Sequence, residues 1–246
     1  MSIENLLALL DRADTLPGAA AHRARSYELL EPGRGARVAD VGCGGGRAVR
    51  ELLGRGCRAV GVDVDERMLD AARKRCPSGE FVLAPADRLP FGDGELHGYR
   101  ADKVLHEIPD PAPVLTEARR VLAPGGRIVL TGQDWDAFVL ESDDPGLTRE
   151  ILRAHADLIA RPRAARSYRT WLLDHGFTRV SAEVRASVFT GDTLLPMLSG
   201  VVDSVRAAGV ITAEQARGWL GEQAERARAD RLFLMIPLVT AAASRP

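Results

Sequence analysis

The chain reads as an α/β fold: a Rossmann-like, seven-stranded, mostly parallel sheet with helices on both faces. It adds an N-terminal helical cap and a helical lid insertion before the last strand. Three observations predict this. Short apolar runs alternate with amphipathic stretches over most of the sequence, the pattern of parallel strands joined by helical crossovers. An apolar run passes directly into a glycine turn at Asp40–Gly46. Finally, Asp192–Asp230 interrupts the alternation with a helical pattern ahead of a last apolar run, Arg231–Ala242.

In chain order, residues 1–35 form the cap, with His22–Leu30 as its second helical piece. Strands are expected at Arg37–Val41, Arg58–Val62, Glu80–Ala84, Leu96–Ala101 and Arg127–Thr131, with helices at Arg47–Leu53, Glu66–Arg75 and Pro113–Leu122 between them. Right-handed crossovers place those helices on both faces of the sheet. Pro124-Gly125-Gly126 stops the third of these helices and turns the chain into the fifth strand. Helices around Gly146–Ala160 and Ala165–His175 follow, the second ended by Gly176, and then a strand at Arg179–Val188. Thr212-Ala213-Glu214-Gln215 reads as a helix start inside the insertion. The divisions are therefore a cap (1–35), an α/β core (36–190), an insertion (191–230) suited to cover a small-molecule site, and the last core strand (231–246).

Composition narrows the function. Of 246 residues, 46% are hydrophobic and 27% charged, an ordinary globular balance. With 33 basic and 34 acidic side chains, nothing favours nucleic acid or an anionic membrane as partner. Cys43, Cys57 and Cys76 are odd in number and lack CxxC spacing, against a disulfide framework or structural zinc. The segment Ser2–Leu10 carries an acid where a signal peptide needs basic residues, and Leu232–Ala243 is broken by Pro237 and Thr240. The expectation is a soluble cytoplasmic protein acting on a small molecule, with a homodimer left open.

The glycine turn is the most informative segment. Counted from Gly42, a dinucleotide GxGxxG puts Arg47 at the last glycine; counted from Gly44, it puts Val49 there. Both registers fail, which disfavours a NAD-dependent oxidoreductase. The segment instead matches DxGxGxG through Asp40, Gly42, Gly44 and Gly46. Here the chain resembles class I S-adenosylmethionine-dependent methyltransferases of the small-molecule, natural-product type. Asp63 at the end of Val60-Gly61-Val62-Asp63, Asp87 in Ala84-Pro85-Ala86-Asp87, Leu89-Pro90-Phe91 and Arg120–Gly126 extend the resemblance, strongest over Arg37–Leu130. Where many relatives carry Phe-Asp near the fourth strand, this chain has Leu96-His97.

The resemblance implies S-adenosylmethionine as cofactor and S-adenosylhomocysteine as product. It implies cofactor contacts from Tyr27, Asp40, Gly42, Gly44, Gly46, Asp63, Val64, Met68, Ala86, Asp87, Arg88, Ala101 and Lys103. Asp63 would hold the ribose hydroxyls and Asp87 the adenine amine; both are donors that a carboxylate accepts. The sulfonium methyl is already activated, so the protein's main task is to align a nucleophile, a base being an addition, and no metal is needed in principle.

Ligands in such sheets sit beyond the strands' carboxyl ends. His106, just past strand four, is the expected catalytic base, with Glu107 a second candidate. Asp102-Lys103 lies in the same neighbourhood or forms a surface ion pair. Asp134 and Trp135, past strand five, and His22 in the cap are expected to meet substrate. Leu194, Leu195, Met197, Leu198, Val201 and Val202 either line an apolar pocket or pack the insertion down. The expected activity is methyl transfer to an oxygen, nitrogen or carbon of a small, largely apolar molecule. The alternative is a non-methylating reaction, such as a cyclisation, on the same fold.

Overall fold

The computed structural model describes residues 18–246 and, before them, Ile3, Leu7, Ala8, Asp11, Arg12, Thr15 and Leu16. Much of the expected cap's first half thus lies outside the described residues. Helix α1 (Ala19–Leu30) leads into β1 (Arg37–Val41), α2 (Arg47–Gly54), β2 (Arg58–Asp63), α3 (Glu66–Arg75), β3 (Glu80–Leu83) and β4 (Leu96–Asp102). Then come α4 (Ala112–Val121), β5 (Leu122–Gln133), β6 (Val139–Leu140), α5 (Pro145–Asp157), α6 (Ala164–Asp174) and β7 (Thr178–Phe189). Helices α7 (Leu195–Ala207) and α8 (Ala213–Arg228) precede the last strand, β8 (Leu234–Ser244).

The sheet runs β3-β2-β1-β4-β5-β8, with β7 on the far side of β8. Strands β1 to β5 are parallel, and β8 is antiparallel to both neighbours. This is the Rossmann-like architecture expected from the alternating pattern. The order reverses at β1, between β2 and β4, so a crevice opens beyond their carboxyl ends.

Local chemistry sets the element ends. Asp65 caps α3 by accepting from the Arg67 amide (2.9 Å), and Thr212 and Gln215 form a reciprocal capping box at α8, where the sequence places a helix start. Several boundaries differ from expectation, among them α1, which begins at Ala19 rather than His22, and α5, which ends at Asp157 rather than Ala160. The fifth strand begins at Leu122, not Arg127: Leu122 pairs with Leu96, and the ladder resumes after an irregularity at Gly98 and Arg127. Strand pairing therefore starts before Pro124-Gly125-Gly126 rather than after it. The last strand starts at Leu234, not Arg231, and continues to Ser244. The eighth strand, β6, is two residues pairing with Leu234 and Met235, too short to show a period.

Three apolar clusters hold these layers. One fills the sheet face under α4 and α6, through Tyr99, Leu115, Leu122, Ile128 and Tyr168. A second packs α1, α2 and α3 on the other face through Leu30, Val49, Leu52 and Leu69. The third joins α5, α7 and α8 through Ile151, Leu198, Val202, Val205 and Trp219, whose indole donates to Thr148 Oγ1 (2.9 Å). Each fully buried aliphatic side chain there contributes about 1.5–3 kcal/mol relative to exposure. Leu194, Leu198, Val201 and Val202 are committed to this cluster, so the apolar stripe of the insertion is mainly packing. No helix among the described residues is long and apolar enough to cross a membrane, and none of them forms a His/Cys/Asp/Glu group suited to a metal.

Candidate active site

Strand β1 ends in a loop whose glycines are required by shape. Gly42, Gly44 and Gly46 have φ of 70°, 51° and 77°, the left-handed region costly for other residues. A Cβ on Gly42 would lie 2.3 Å from Val104 Cγ2, and one on Gly46 2.8 Å from the Phe81 ring. The turn cannot easily give way, because the Gly42 and Cys43 amides both donate to the Val62 carbonyl (2.8 and 3.1 Å).

Asp63 closes β2 beside this loop. Its Oδ2 accepts from the Gly44 amide (2.9 Å) and its Oδ1 from the Asp65 amide (3.1 Å). A carboxylate offers about four acceptor positions, so these bonds fix its orientation and leave capacity for a ligand. A cleft of about 450 Å³ opens here, lined by Gly42, Asp63, Val64, Ala86, Asp87, Lys103, Val104, Glu107 and Ile108 among others. A cradle that excludes side chains, two carboxylates and apolar Val62, Val64 and Ile108 fit an adenosine-type group. Asp63→Ala is accordingly expected to weaken S-adenosylhomocysteine binding by roughly 1.5–3 kcal/mol, about ten- to a hundredfold, for loss of charge-assisted bonds. Calorimetric titration beside a thermal melt checks this; unchanged affinity removes Asp63 from the site.

A second cavity, of about 160 Å³, lies between α1, the ends of β4 and β5, and the β7–α7–β8 region. Its apolar lining includes Leu16, Phe138, Phe189, Met197, Ile236 and Leu238; its polar lining includes His22, Arg23, Asp102, Lys103, Gln133 and Trp135. Met197 is thus the one residue of the insertion's apolar stripe that reaches this cavity. Lys103 lines both cavities. Its φ is 60°, and its amide donates to the Thr131 carbonyl (2.8 Å), a strained turn held where β4 leaves the sheet.

Polar atoms buried at this cavity lack partners. Among the described residues, none bonds either ring nitrogen of His22, Asp102 Oδ1, Gln133 Oε1 or Trp135 Nε1. Burial holds the His22 imidazole below its ordinary value, against the pull of Asp102. Burial opposes the charge on Asp102, but Lys103 and Arg100 outweigh it and hold the carboxyl below the usual range. The cavity therefore carries a neutral imidazole beside a carboxylate at neutral pH.

The other expected site residues are placed as follows. Val64, Ala86, Asp87, Lys103 and Glu107 line the cleft with Gly42 and Asp63. Gly44 and Gly46 shape the loop. Asp40 does not line either cavity; it is buried against Arg100 Nη1 (2.6 Å). Arg100 also bonds Asp102 (2.7 Å) and Ser26 Oγ (2.9 Å), all in the interior. Tyr27, Met68 and Ala101 are buried and line neither cavity; the Tyr27 hydroxyl donates to Glu51 (3.0 Å). Arg88 is exposed outside both.

His106, the expected base, stands apart from both cavities: its ring packs on Trp135 (centroids 5.6 Å apart), and its Nε2 sits 3.1 Å from Glu107 Oε1. Asp134 is likewise not at the cavity. It is buried, accepts from the Asp136 amide (3.1 Å), and is clamped by both arms of Arg166, one at 2.8 Å. The expectation placed Asp102 in this neighbourhood without a role, and it missed Gln133 as a cavity residue and Arg100 as the buried partner of Asp40 and Asp102. The alternation of β4 carried a signal for Asp102, because Arg100 and Asp102 are two apart and share a face.

Comparison with known proteins agrees with this geometry. Residues 39–130 match a family model described as a methyltransferase domain. A Streptomyces fradiae protein of a transposon, described only by its mass, is 30% identical over 89% of this chain and 66% of its own. The O-methyltransferase cnsE of Penicillium expansum is 30% identical over 54% of this chain and 48% of its own. The chain thus spans about half to two thirds of the length of these relatives. Among solved structures, phosphoethanolamine N-methyltransferase 2 of Haemonchus contortus, bound to S-adenosylmethionine, superposes with a TM-score of 0.62 at 17% identity (94% of this chain, 53% of the other). Geranyl diphosphate C-methyltransferase of Streptomyces coelicolor, bound to S-adenosylhomocysteine, gives 0.57 at 18% identity (93% and 76%).

Proposed function

Because the chain belongs to the class I S-adenosylmethionine-dependent methyltransferase family, we propose that it methylates a small, largely apolar organic molecule, with the cofactor in the glycine-loop cleft and the acceptor in the second cavity. The observation that carries this is the pair of cavities meeting at Lys103. Asp63 would hold the ribose hydroxyls and exposed Asp87 the adenine amine. When bound, the cofactor supplies an electrophilic methyl group on a sulfonium. The chain's work is then alignment: the glycine loop and the strained Lys103 turn fix one reactant, and the apolar walls fix the other and exclude water. The O-methyltransferase relative, and the geranyl diphosphate C-methyltransferase that shares the fold, support a small-molecule acceptor.

The test is incubation of the full chain with S-adenosylmethionine and a panel of small hydroxylated, amino and activated-carbon acceptors, read by mass spectrometry. A product heavier by one methylene supports the proposal. An isomer of unchanged mass instead favours a non-methylating reaction on the same fold.

A further inference from the structure

We propose that His22 of α1, and not His106, is the acid–base residue of the reaction, and that the acceptor is a ring carrying a hydroxyl group, methylated on that oxygen. This rests on the reading of the chain as a methyltransferase and names the acceptor chemistry of the same site.

Burial leaves several polar atoms of this region unmatched. His22, Asp102, Gln133 and Trp135 all line one cavity, and each carries a buried side-chain nitrogen or oxygen without a partner among the described residues. An unpaired buried polar group is costly, so four of them on residues that line one space mark the place of a ligand's polar end. Asp102 Oδ1 and Gln133 Oε1 only accept, Trp135 Nε1 only donates, and the neutral His22 ring accepts at one nitrogen and donates at the other. The complementary group must therefore donate and accept at once. A carboxylate brings no proton and is repelled by Asp102. A protonated amine has no lone pair for Trp135. A neutral hydroxyl does both.

The remaining walls set the body that carries it. Phe138, Phe189, Met197, Ile236 and Leu238 are apolar, and the space is about 160 Å³. An apolar cavity of about 150 Å³ accepts a benzene-sized ring. A phenol-like or cyclic enol acceptor meets both requirements.

His22 is suited to take the proton. The charges that act on it are Asp102, Lys103 and Arg100 from β4 and its neighbouring turn, and Arg185 from β7. Glu183, also on β7, is engaged by both arms of Arg25. Burial, helped by Lys103, Arg100 and Arg185, keeps the ring neutral against Asp102. In the step, the acceptor O–H bond breaks and its proton passes to a ring nitrogen of His22. The oxygen's electron pair forms the new O–CH₃ bond. The S–CH₃ bond of the methyl donor breaks with its pair on sulfur, leaving the neutral thioether and an imidazolium next to Asp102. His106 also has an unpartnered nitrogen, Nδ1, but the residue lines neither cavity: its ring packs on Trp135 and its Nε2 faces Glu107.

The experiment begins without cofactor. 4-Methylphenol and toluene are titrated into the full chain by calorimetry, and the imidazole signals are followed by NMR as pH is varied. Expected are binding of 4-methylphenol at least tenfold tighter than toluene, and a His22 titration below 6.5 that moves when the phenol binds. His22→Ala and the bulkier His22→Gln should lose the phenol's advantage while S-adenosylhomocysteine affinity and melting behaviour hold. His97→Ala, on the exposed amino end of β4, should change nothing. With a methylated phenolic acceptor, turnover in His22→Ala should fall by about 10²–10⁴-fold and lose its acid limb, the decline as pH drops through the imidazole pKa. Equal binding of phenol and toluene, or native turnover with an unchanged pH profile in both His22 variants, overturns the assignment. Methylation persisting in those variants would leave the methyltransferase reading intact. Failure to bind S-adenosylhomocysteine and to methylate any acceptor would remove both.

Discussion

Arg100→Ala is expected to lower stability by about 3–5 kcal/mol, the cost of removing one partner from a buried ionic group. Arg100 is 3% exposed and holds Asp40 and Asp102, with Ser26 as a further acceptor. Burial works against its charge, but the two carboxylates keep the guanidinium above its ordinary range. Without it, buried Asp40 loses its cation and Asp102 keeps mainly the field of Lys103. Removing a charge of the opposite sign should be compensated in part, so Arg100→Met with Asp40→Asn is expected to recover some of the loss. Denaturant midpoints of the single and double variants check this. A loss below about 1 kcal/mol for Arg100→Ala would show that water reaches the network and screens it.

That network also marks where sequence reasoning stops. The glycine loop, Asp63 and Asp87 were legible because each lies at the end of its own apolar run, and local spacing suffices to put them beyond a strand edge. Asp40 belongs to the same motif, yet its partner is 60 residues away, and nothing local says that an arginine will bury itself there. Asp102 and Asp134 are both acids at strand ends and look alike in one dimension. Arg166, 32 residues after Asp134, claims the second, and the first is left partly free. The histidines divide in the same way. Position after β4 favoured His106, but only the fold of the chain after β5 brings Trp135 over it. His22 sits on a helix whose amphipathic pattern is weak, and its neighbours at the cavity come from five other elements or their flanks.

Gly42→Ala should cost about 2–5 kcal/mol, divided between folding and cofactor binding. Holding alanine at a φ of 70° costs roughly 1–2 kcal/mol, and crowding adds about 1–3. The crowding is specific: the new methyl falls 2.3 Å from Val104 Cγ2, a wall of the cofactor cleft. If the loop retreats instead, the hydrogen bonds from Gly42 and Cys43 to Val62 are strained and Asp63 loses its alignment with Gly44. Affinity for S-adenosylhomocysteine is therefore expected to fall by roughly a hundredfold where the protein still folds. Adding Val104→Ala should restore part of that loss by removing the methyl in the way, leaving only the backbone cost. A double variant no better than the single one would place the whole effect in the backbone.

The two cavities differ in how far the chain must travel to build them. The glycine-loop cleft is assembled from a continuous stretch, Val41 to Val114, whereas the second cavity draws on residues from Leu16 to Leu238. Bringing distant segments together costs loop entropy before any contact is gained, so the first can form early in folding and the second only when β8 has inserted between β5 and β7. The same division applies to descent. On the proposed assignment of the two cavities, exchange of the segments after β5, by recombination or by drift, would rebuild the acceptor wall while leaving the methyl donor's cleft untouched. A lineage of such chains can change what it modifies without relearning how.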